Sequence, residues 1–477
     1  MASGASKRLS DPILTLQTPH AEIAQEGNEN ASSSNAVSSL CFLSIGESTA
    51  SVDQVSIESE SSDSEEDDLS FRCRGLVGVE NSQFDGDMFA STLSGRFLAS
   101  CHSTGAHIWD LGRRKVAQDL SRRGPGLVIR RLERNGYSGS RVLYHTRDID
   151  GTISLHDASS LTTAESSLRG EGTVQQETGT IGIIRTYSRT FCCAAPCCRN
   201  PNLLALPSGD DTVGVVRDWR VPGDAAPVAT IRTAASSSNS RTIERLGMVT
   251  SLAMSEIEEN GGRPLVGLGM ESGRILFYDL AMIRCDIPPP ESIQVDHGTC
   301  GISLSNDPIL SLDMVPSVLP CGSKAEGSIV AVAGMAGNRE DCMRLEKADQ
   351  GTVAVMKTTI SLKTGMSARL RSRLTTCSGS SKDEPSGGLD PNGPAGKPGV
   401  SICRFRPDGR VFAVGGWDKR LRIFDRSKTA KPLAILKGHS ASVNAFDWAL
   451  DASASGLLAT GSSDGHIQVW RCLLGKR

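Results

Sequence analysis

Two segments near the C-terminus share one pattern, and this repeat constrains the fold more than any other feature of the chain. The first segment is Pro407–Asp425 and the second is Gly456–Arg471. Each contains an apolar stretch, a turn rich in glycine and aspartate, and an alternating stretch that ends on an aromatic residue. When the turn aspartates are aligned, Phe424 falls on Trp470. This order is typical of antiparallel strands joined by tight turns.

The linker between the two segments identifies the repeat. Gly438 and His439 precede the second copy, and a Gly-His pair ahead of such a unit is the signature of the WD repeat, one four-stranded blade of a β-propeller. Seven blades of about 40–45 residues need roughly 300 residues, and the chain has 477. We therefore expect an all-β, seven-bladed WD-repeat β-propeller with long insertions.

The N-terminal stretch Asp11–Leu16 matches Lys431–Leu436, the expected outer strand of the blade before the last. The last repeat has no outer strand of its own. We therefore predict that residues 11–17 supply this strand, which closes the ring and removes an exposed sheet edge.

Low-complexity stretches are expected to interrupt the ring. Residues 53–68 contain eight acidic residues and no basic ones, and residues 377–398 are rich in serine, glycine and proline. Such compositions predict disordered insertions in one propeller of residues 11–477, which follows a disordered tail of residues 1–10. Ser64 is followed by Glu65, Glu66 and Asp67 and is a candidate phosphosite, with an unmodified acidic loop as the alternative.

The five preceding blades have weaker signatures. Aromatic residues make up only 4% of the chain, and several blades have lost the closing aromatic residue. Blade two has His156 at that position, which we interpret as capping a strand rather than binding a metal. Blade five is the weakest, and its third strand is predicted near Cys342–Leu345.

The clear repeats also predict a structural hydrogen-bond network. The Asp464 carboxylate would hold the turn and accept a hydrogen bond from the imidazole of His439. That imidazole would be linked through the Ser462 hydroxyl to the indole N–H of Trp470. Asp418 occupies the position of Asp464 in the preceding blade.

A hydrolase site is the alternative explanation for these polar residues. Gly461–Gly465 matches G-x-S-x-G around Ser463, but that motif requires a strand–turn–helix elbow, whereas two strands are expected here. No catalytic residue is assigned, and the chain is predicted not to be an enzyme.

The densest cysteine group is interpreted as thiols rather than as a metal site. Its members are Cys192, Cys193, Cys197 and Cys198. Structural zinc needs four converging ligands, and adjacent residues of a strand point to opposite faces. No metal or cofactor is expected. The irregular spacing of the fourteen cysteines indicates reduced thiols inside a cell.

Two stretches are candidates for partner binding. Trp417, Lys419 and Arg420 lie at a predicted turn and could form a binding hot spot; the alternative is that the tryptophan ring packs over a neighbouring turn. The basic stretch Arg113–Arg134 could contact an acidic partner or nucleic acid, or it could be a solvated rim or pair with the acidic insertion. It lacks interleaved aromatic residues for base stacking, so no direct nucleic-acid binding is expected.

The bulk properties indicate no membrane association. The formal net charge is −3, which gives no general attraction to anionic surfaces. No apolar run approaches the ~20 residues needed to span a bilayer, and the N-terminal residues do not resemble a secretory signal.

The two clear repeats resemble one particular WD-repeat family. Arg406–Phe424 and Gly456–Ser462 carry the strongest likeness, and Asp11–Leu16 also fits. The family comprises the fungal ASTRA-associated protein one and its animal counterpart, the G-protein β-subunit-like protein one. The resemblance is specific only at the two ends of the chain. The acidic stretch, the low-complexity insertion and the weak middle blades depart from the family pattern.

The resemblance implies a non-catalytic scaffold. It implies a component of the ASTRA complex, which is linked to chromatin remodelling, and a link to the TTT co-chaperone that helps to mature phosphatidylinositol-3-kinase-related kinases. It also implies a monomeric subunit within a hetero-complex, located in the nucleus, with the cytoplasm as a further location.

Other classes remain as alternatives. The basic stretch would favour a histone-binding or ubiquitin-ligase substrate-receptor propeller. A heterotrimeric G-protein β subunit would carry a long coiled-coil helix ahead of the propeller, and no heptads precede the predicted closure strand. An enzymatic propeller would need a cluster of catalytic residues that face inward.

Overall fold

The computed structural model defines the strands of the propeller and leaves parts of the connections undescribed. The residues it describes are 12, 14–17, 36–43, 70–73, 96–120, 126–132, 141–146, 148, 150–158, 179–188, 190–197, 200, 202–210, 213–221, 226–232, 246–257, 263–280, 299–304, 306–316, 328–336, 353–361, 365–374, 399–427, 432–449 and 456–475.

Within these residues the secondary structure is almost entirely β. In chain order the strands are β1 (Leu14–Gln17), β2 (Val37–Leu43), β3 (Ser70–Cys73), β4 (Phe97–His102), β5 (Gly105–Asp110), β6 (Lys115–Asp119), β7 (Gly126–Arg131), β8 (Arg141–Thr146), β9 (Thr152–Asp157), β10 (Gly179–Arg185), β11 (Ala195–Pro196), β12 (Leu203–Pro207), β13 (Val213–Asp218), β14 (Ala229–Arg232), β15 (Val249–Ile257), β16 (Arg263–Met270), β17 (Arg274–Asp279), β18 (Thr299–Ser303), β19 (Ile309–Pro316), β20 (Ser328–Met335), β21 (Val353–Ser361), β22 (Gly365–Leu374), β23 (Val400–Phe405), β24 (Val411–Gly416), β25 (Arg420–Asp425), β26 (Ala434–Lys437), β27 (Val443–Trp448), β28 (Leu457–Ser462) and β29 (His466–Gly475).

These strands form seven antiparallel sheets in the described part of the chain, one for each blade of the ring. From the inner to the outer strand, blade one is β2-β4-β5-β6, and blades two to six follow as β7–β10, β11–β14, β15–β18, β19–β22 and β23–β26. Blade seven is β27-β28-β29-β1, with β3 paired to the far end of β29. The predicted seven-bladed β-propeller is confirmed.

The middle strands are apolar on both faces because each blade is packed between two others. β24 and β28 are buried along their whole length, which matches the near-continuous apolar runs expected of a sheet covered on both sides. The outer strand β6 instead alternates between exposed and half-buried residues, as expected where a sheet meets solvent.

Seven apolar cores lie between adjacent blades. The core between blades six and seven contains Phe446, Trp448 and Trp470, and the core between blades seven and one contains Phe42 and Trp109. The other five connect blades one and two, two and three, three and four, four and five, and five and six. Since blade seven shares a core with blade one, the ring is closed by packing as well as by hydrogen bonds.

The predicted closure strand is confirmed. β1 pairs antiparallel with β29, with Leu14 opposite Val469 and Leu16 opposite Ile467. Both leucines are buried in the core between blades seven and one, while Thr15 and Gln17 are exposed. The pairing of β3 with the last residues of β29 was not predicted.

The prediction for the third strand of blade five was wrong. That position is taken by β21, which pairs with β20 on one side and β22 on the other, whereas the stretch near Cys342–Leu345 lies outside the described residues. The β-branched run in β21 is the better strand former. The predicted tail of residues 1–10 and the insertions at 53–68 and 377–398 also lie outside the described residues, as does Ser64.

We expect Leu16→Ala to destabilise the protein by about 2–4 kcal/mol, because it opens a cavity in the core that closes the ring. The matched control is Thr15→Ala on the exposed side of the same strand, which should change stability by less than ~0.5 kcal/mol. Urea denaturation followed by tryptophan fluorescence measures both. Equal effects of the two substitutions would contradict closure through this strand.

Candidate functional site

The candidate residues gather at one end of the propeller. Because strands in a blade alternate in direction, the turns between the second and third strands and the links that enter each inner strand emerge at the same end. We call this end the entry face. It includes the turn after β24 with Trp417 and Lys419, the turn after β28 with Ser463 and Asp464, and the link before β27 with His439.

The polar network of blade seven spans this face and the blade interior. The indole N–H of Trp470 donates to Thr460 Oγ1 at 2.9 Å, and that oxygen lies 2.8 Å from Nε2 of His439. Nδ1 of His439 lies 3.3 Å from Asp464 Oδ2. With a proton on Nδ1, the imidazole donates to the carboxylate of Asp464, while Nε2 faces the threonine hydroxyl.

The prediction that Ser462 links His439 to Trp470 was wrong. The hydroxyl between His439 and Trp470 belongs to Thr460. Ser462 Oγ instead accepts the backbone N–H of Asp464 at 3.2 Å. Thr460 and Ser462 lie on the same face of β28. Thr460 is two residues further from the turn, at the depth of the His439 and Trp470 rings. The sequence spacing alone does not distinguish them.

Asp464 binds the backbone of the turn as well as the imidazole. Its Oδ1 accepts the N–H of His466 at 2.9 Å, and its Oδ2 accepts the N–H of Ser440 at 2.8 Å. Burial opposes its ionisation, but the hydrogen bond and charge of His439 and these two N–H donors outweigh burial and hold the pKa of the carboxyl well below its usual range.

Gly438 is required by the tryptophan of the same blade. A Cβ at residue 438 would lie 3.0 Å from Cη2 of Trp470 and would collide with the Gln468 side chain. In the Gly-His pair of the repeat, Gly438 therefore leaves space for the Trp470 indole. His439 is linked to that indole through the Thr460 hydroxyl.

Ser463 has no contact of the kind that a serine nucleophile needs. Its Oγ lies 2.8 Å from the Ser442 hydroxyl and accepts a hydrogen bond from Nδ2 of Asn444 at 2.7 Å. The nearby imidazole of His439 is bonded to Thr460 instead. The G-x-S-x-G match lies between two strands, without the helix that the hydrolase motif requires.

In blade six the turn aspartate pairs with an arginine. Asp418 receives two hydrogen bonds from Arg422, at 3.0 Å from Nη1 and 2.6 Å from Nη2. Arg422 is buried, so the bidentate pair is shielded from solvent. Asp418 is thus bonded to an arginine of the next strand, in place of the histidine partner found in blade seven.

The turn with the candidate partner-binding residues is half-buried. The ring of Trp417 packs against the backbone at Gly399, where any Cβ would collide with it, and the backbone N–H of Trp417 donates to the Gly399 carbonyl at 3.1 Å. The ring therefore packs at the start of its own blade rather than over the neighbouring turn. Lys419 takes a left-handed conformation with φ 69°, and Arg420 is half-buried beside it.

Two exposed aromatic residues on the same face were missed by sequence reasoning. Tyr187 and Phe191 lie in the link between blades two and three, with 57% and 73% of their surfaces exposed. Phe191 borders the mouth of the central channel, a cavity of about 90 Å³. The one available signal was the presence of two aromatic residues in a stretch otherwise made of small and polar residues.

The predicted basic stretch does not form one surface. Arg131 is buried in the channel, where it donates to the Phe42 carbonyl at 3.0 Å and lies 3.6 Å from Asp447. Asp447 also lies 3.6 Å from Arg404 and accepts the N–H of Phe42 at 3.0 Å. Part of the stretch therefore joins the inner strands of several blades, while residues 121–125, 133 and 134 lie outside the described residues.

The described cysteines of the dense group face different cores. Cys192 and Cys197 lie in the core between blades three and four, whereas Cys193 packs against the core between blades two and three. Cys198 lies outside the described residues. The described part of the chain contains no group of metal ligands that converge on one point, and burial raises the pKa of Cys41, Cys101 and Cys403 to about 12.

The fold is shared with a family of repeats, and specific relatives match at its C-terminal end. The model "WD domain, G-beta repeat" matches residues 392–425 and 430–471. A mouse protein, guanine nucleotide-binding protein subunit beta-like protein 1, is 45% identical over 15% of this chain and 21% of its own length. ASTRA-associated protein 1 of Pyricularia oryzae is 41% identical over 15% of this chain and 14% of its own length. The predicted resemblance is confirmed over this short part, which spans about a fifth or less of each relative.

Among solved structures, the β-propeller domain of Cps50 (Swd1) from Myceliophteria thermophila aligns with a TM-score of 0.48 at 12% identity. The alignment covers 79% of this chain and 93% of that one. The assignment of the fold rests on the sheets and cores described above. No described helix is long and apolar enough to cross a membrane.

We expect Thr460→Val to cost about 1–3 kcal/mol of folding free energy, because it leaves the Trp470 indole and the His439 imidazole without their buried hydroxyl partner. Ser462→Ala should cost less, since it removes only a contact with one backbone N–H at the turn. Chemical denaturation compares the two variants. A larger effect at Ser462 would show that the hydrogen-bond chain runs through the serine.

The depressed pKa of Asp464 predicts a pH-dependent contribution to stability. Because its pKa is lower in the folded state than in the unfolded chain, where it is about 3.9, the contribution is present above that pH and is lost as the pH falls further. The thermal midpoints of the wild type and Asp464→Asn should therefore differ most above about pH 5 and converge in acid. A difference that is constant with pH would contradict this account.

Proposed function

We propose that this WD-repeat β-propeller is a non-catalytic scaffold subunit of an ASTRA-type complex. The observation that carries the proposal is the similarity of its last two repeats to ASTRA-associated protein 1 from several fungi, at 35–45% identity in most of them. These names belong to the fungal proteins, and the assignment to this chain is an inference from the shared blades.

The physical properties of the propeller suit a scaffold. Interblade cores connect all seven described sheets into a closed ring, so the surface residues sit on a rigid frame. The polar residues that resemble a catalytic set are engaged in holding the turns of blades six and seven. The entry face presents Tyr187 and Phe191 together with the Trp417 turn, and aromatic residues and arginine are the usual anchors of protein interfaces.

We extend the proposal to the roles implied by the family. The protein would contribute to chromatin remodelling through the ASTRA complex and would assist the TTT co-chaperone in maturing phosphatidylinositol-3-kinase-related kinases. It would act mainly in the nucleus as a monomeric subunit. Support for these roles comes from the resemblance, since several fungal relatives match the same blades.

The alternative propeller classes have less support. A histone-binding or substrate-receptor role was favoured by the basic stretch, but Arg131 from that stretch is an internal structural residue. The relatives described above that match the last repeats carry ASTRA-associated or G-protein β-like names, which favours the scaffold over a histone receptor.

Affinity purification of the tagged protein from its own cells, with mass spectrometry of the bound proteins, tests the proposal. We expect ASTRA or TTT subunits, or a phosphatidylinositol-3-kinase-related kinase, to co-purify. Their recovery should fall in the Trp417→Ala/Arg420→Ala double variant, because it removes the side chains that could anchor a partner at the entry face.

Arg220→Ala is the matched control, since this exposed arginine follows the third strand of blade three and so lies at the opposite end of the ring. Its partner set should equal that of the wild type. Recovery of histones, a ubiquitin-ligase core or a γ-type subunit in place of the expected proteins would contradict the proposed function.

A further inference from the structure

We propose that a groove on the rim of the propeller, between blades two and three, binds an extended acidic and apolar segment of a protein partner. The groove is lined by Ile183, Arg185 and Tyr187 of blade two and its following link and by Leu206, Val215 and Arg217 of blade three, and it has a volume of about 660 Å³. The inference rests on the proposed function in one respect, that the chain is a scaffold for other proteins, and it specifies a surface and a partner chemistry.

Three of the seven large apolar residues that are exposed among the described residues lie in this groove or next to it. Ile183 and Tyr187 in the groove are each 57% exposed, and Ile181 next to it is 41% exposed. Exposed apolar side chains that cluster in this way mark interaction surfaces rather than the ordinary scatter of a soluble protein.

The fold does not need these side chains. Along β10, Ile184 is buried in the core between blades two and three, whereas Ile183 and Arg185 on either side of it are exposed. Of the isoleucines in this strand, Ile184 packs in the core, and Ile181 and Ile183 are exposed to solvent. Ile181 and Ile183 belong to no apolar core formed by the described residues, so their apolar surface is available to a partner in the described part of the chain.

The backbone of β10 is also suited to receive a strand. β10 is the last strand of its sheet in the order β10-β9-β8-β7. An exposed sheet edge can accept an extended peptide, whose main chain pairs with the edge while its side chains enter adjacent pockets. The volume of the groove lies within the range of roughly 300–1,000 Å³ typical of ligand pockets.

The charge of the groove selects the partner. Its described lining contains two arginines, Arg185 and Arg217, and no acidic residue. Arg185 has an ion partner in Asp150 at 3.7 Å, but both side chains are about half exposed or more, and such pairs contribute little. A carboxylate of a bound segment can therefore compete for this guanidinium. Two copies that met groove to groove would bring four arginines together, which disfavours that arrangement.

A fluorescein-labelled peptide in which valine and isoleucine alternate with glutamate is the probe for this groove. We expect saturable binding to the full-length protein, measured by fluorescence anisotropy, and slower amide hydrogen exchange across residues 179–187. Ile183→Asp should weaken binding by about tenfold or more, because it removes apolar contact and adds repulsion. Val228→Asp, at an exposed apolar position outside the groove, should leave binding unchanged.

A charge exchange separates specific binding from loss of structure. Arg185→Glu/Arg217→Glu should lose the glutamate peptide and bind a second peptide that has lysine in place of every glutamate. A wild type that binds both peptides equally, or a double variant that binds neither while its thermal midpoint is unchanged, would overturn the proposal. Concentration-dependent dimers that are lost in Ile183→Asp would assign the groove to a second copy instead.

The two proposals can fail separately. If ASTRA-type partners co-purify with both the wild type and Ile183→Asp, and the probe does not bind, the scaffold function stands and the groove is not its docking site. If the probe binds but no such partner co-purifies with the wild type, the groove stands and the proposed complex is wrong.

Discussion

The pairing of the first strand with the last sheet is the constraint on which the rest of the structure depends. Each blade presents two apolar faces, and a linear row of blades would leave one such face bare at each end. The pairing of Leu14 and Leu16 with β29 places both leucines in the core that blade seven shares with blade one. Closure therefore converts two exposed surfaces into one core and also covers the edge of the last sheet.

Closure also explains where charge can be tolerated inside the ring. The channel contains Arg131, Arg404 and Asp447, each drawn from a different blade. Unpaired charges in such a place would be costly, but the ion pairs and the hydrogen bonds to Phe42 link neighbouring inner strands. Residues that a sequence would assign to a basic surface thus become part of the frame.

The blades achieve the same turn by different chemistry. In blade seven the carboxylate of Asp464 is held through His439, and the indole of Trp470 is satisfied by Thr460. In blade six a buried arginine takes the place of the histidine, and Phe424 needs no hydrogen-bond partner. In blade one, the indole N–H of Trp109 donates to the Ser100 hydroxyl at 2.8 Å, while Nδ1 of His107 lies 2.7 Å from Nε2 of His102 near the turn. The polar groups at these three turns thus find partners in different residue sets.

The candidate binding surfaces lie where the fold leaves side chains exposed to solvent. The entry face exposes Tyr187 and Phe191, and the rim between blades two and three exposes Ile183 beside two arginines. These features lie on the blades with weak repeat signatures, whereas the clear repeats devote their polar and aromatic residues to internal contacts. Weak repeat character and available surface therefore coincide in this propeller.

The sequence by itself determined the fold class, the number of blades, the closure strand and the positions of the turn aspartates. These depend on local patterns: a period of two in the strands, glycine and aspartate at turns, and the repetition of both along the chain. The tertiary structure alone decided that Thr460 rather than Ser462 joins His439 to Trp470 and that Arg422 binds Asp418. It also decided that Arg131 turns inward and that Ile183 stays in water. Each of these outcomes depends on which residues of neighbouring strands and blades come within hydrogen-bond or packing distance, and strand register and blade stacking set that, not spacing along the chain.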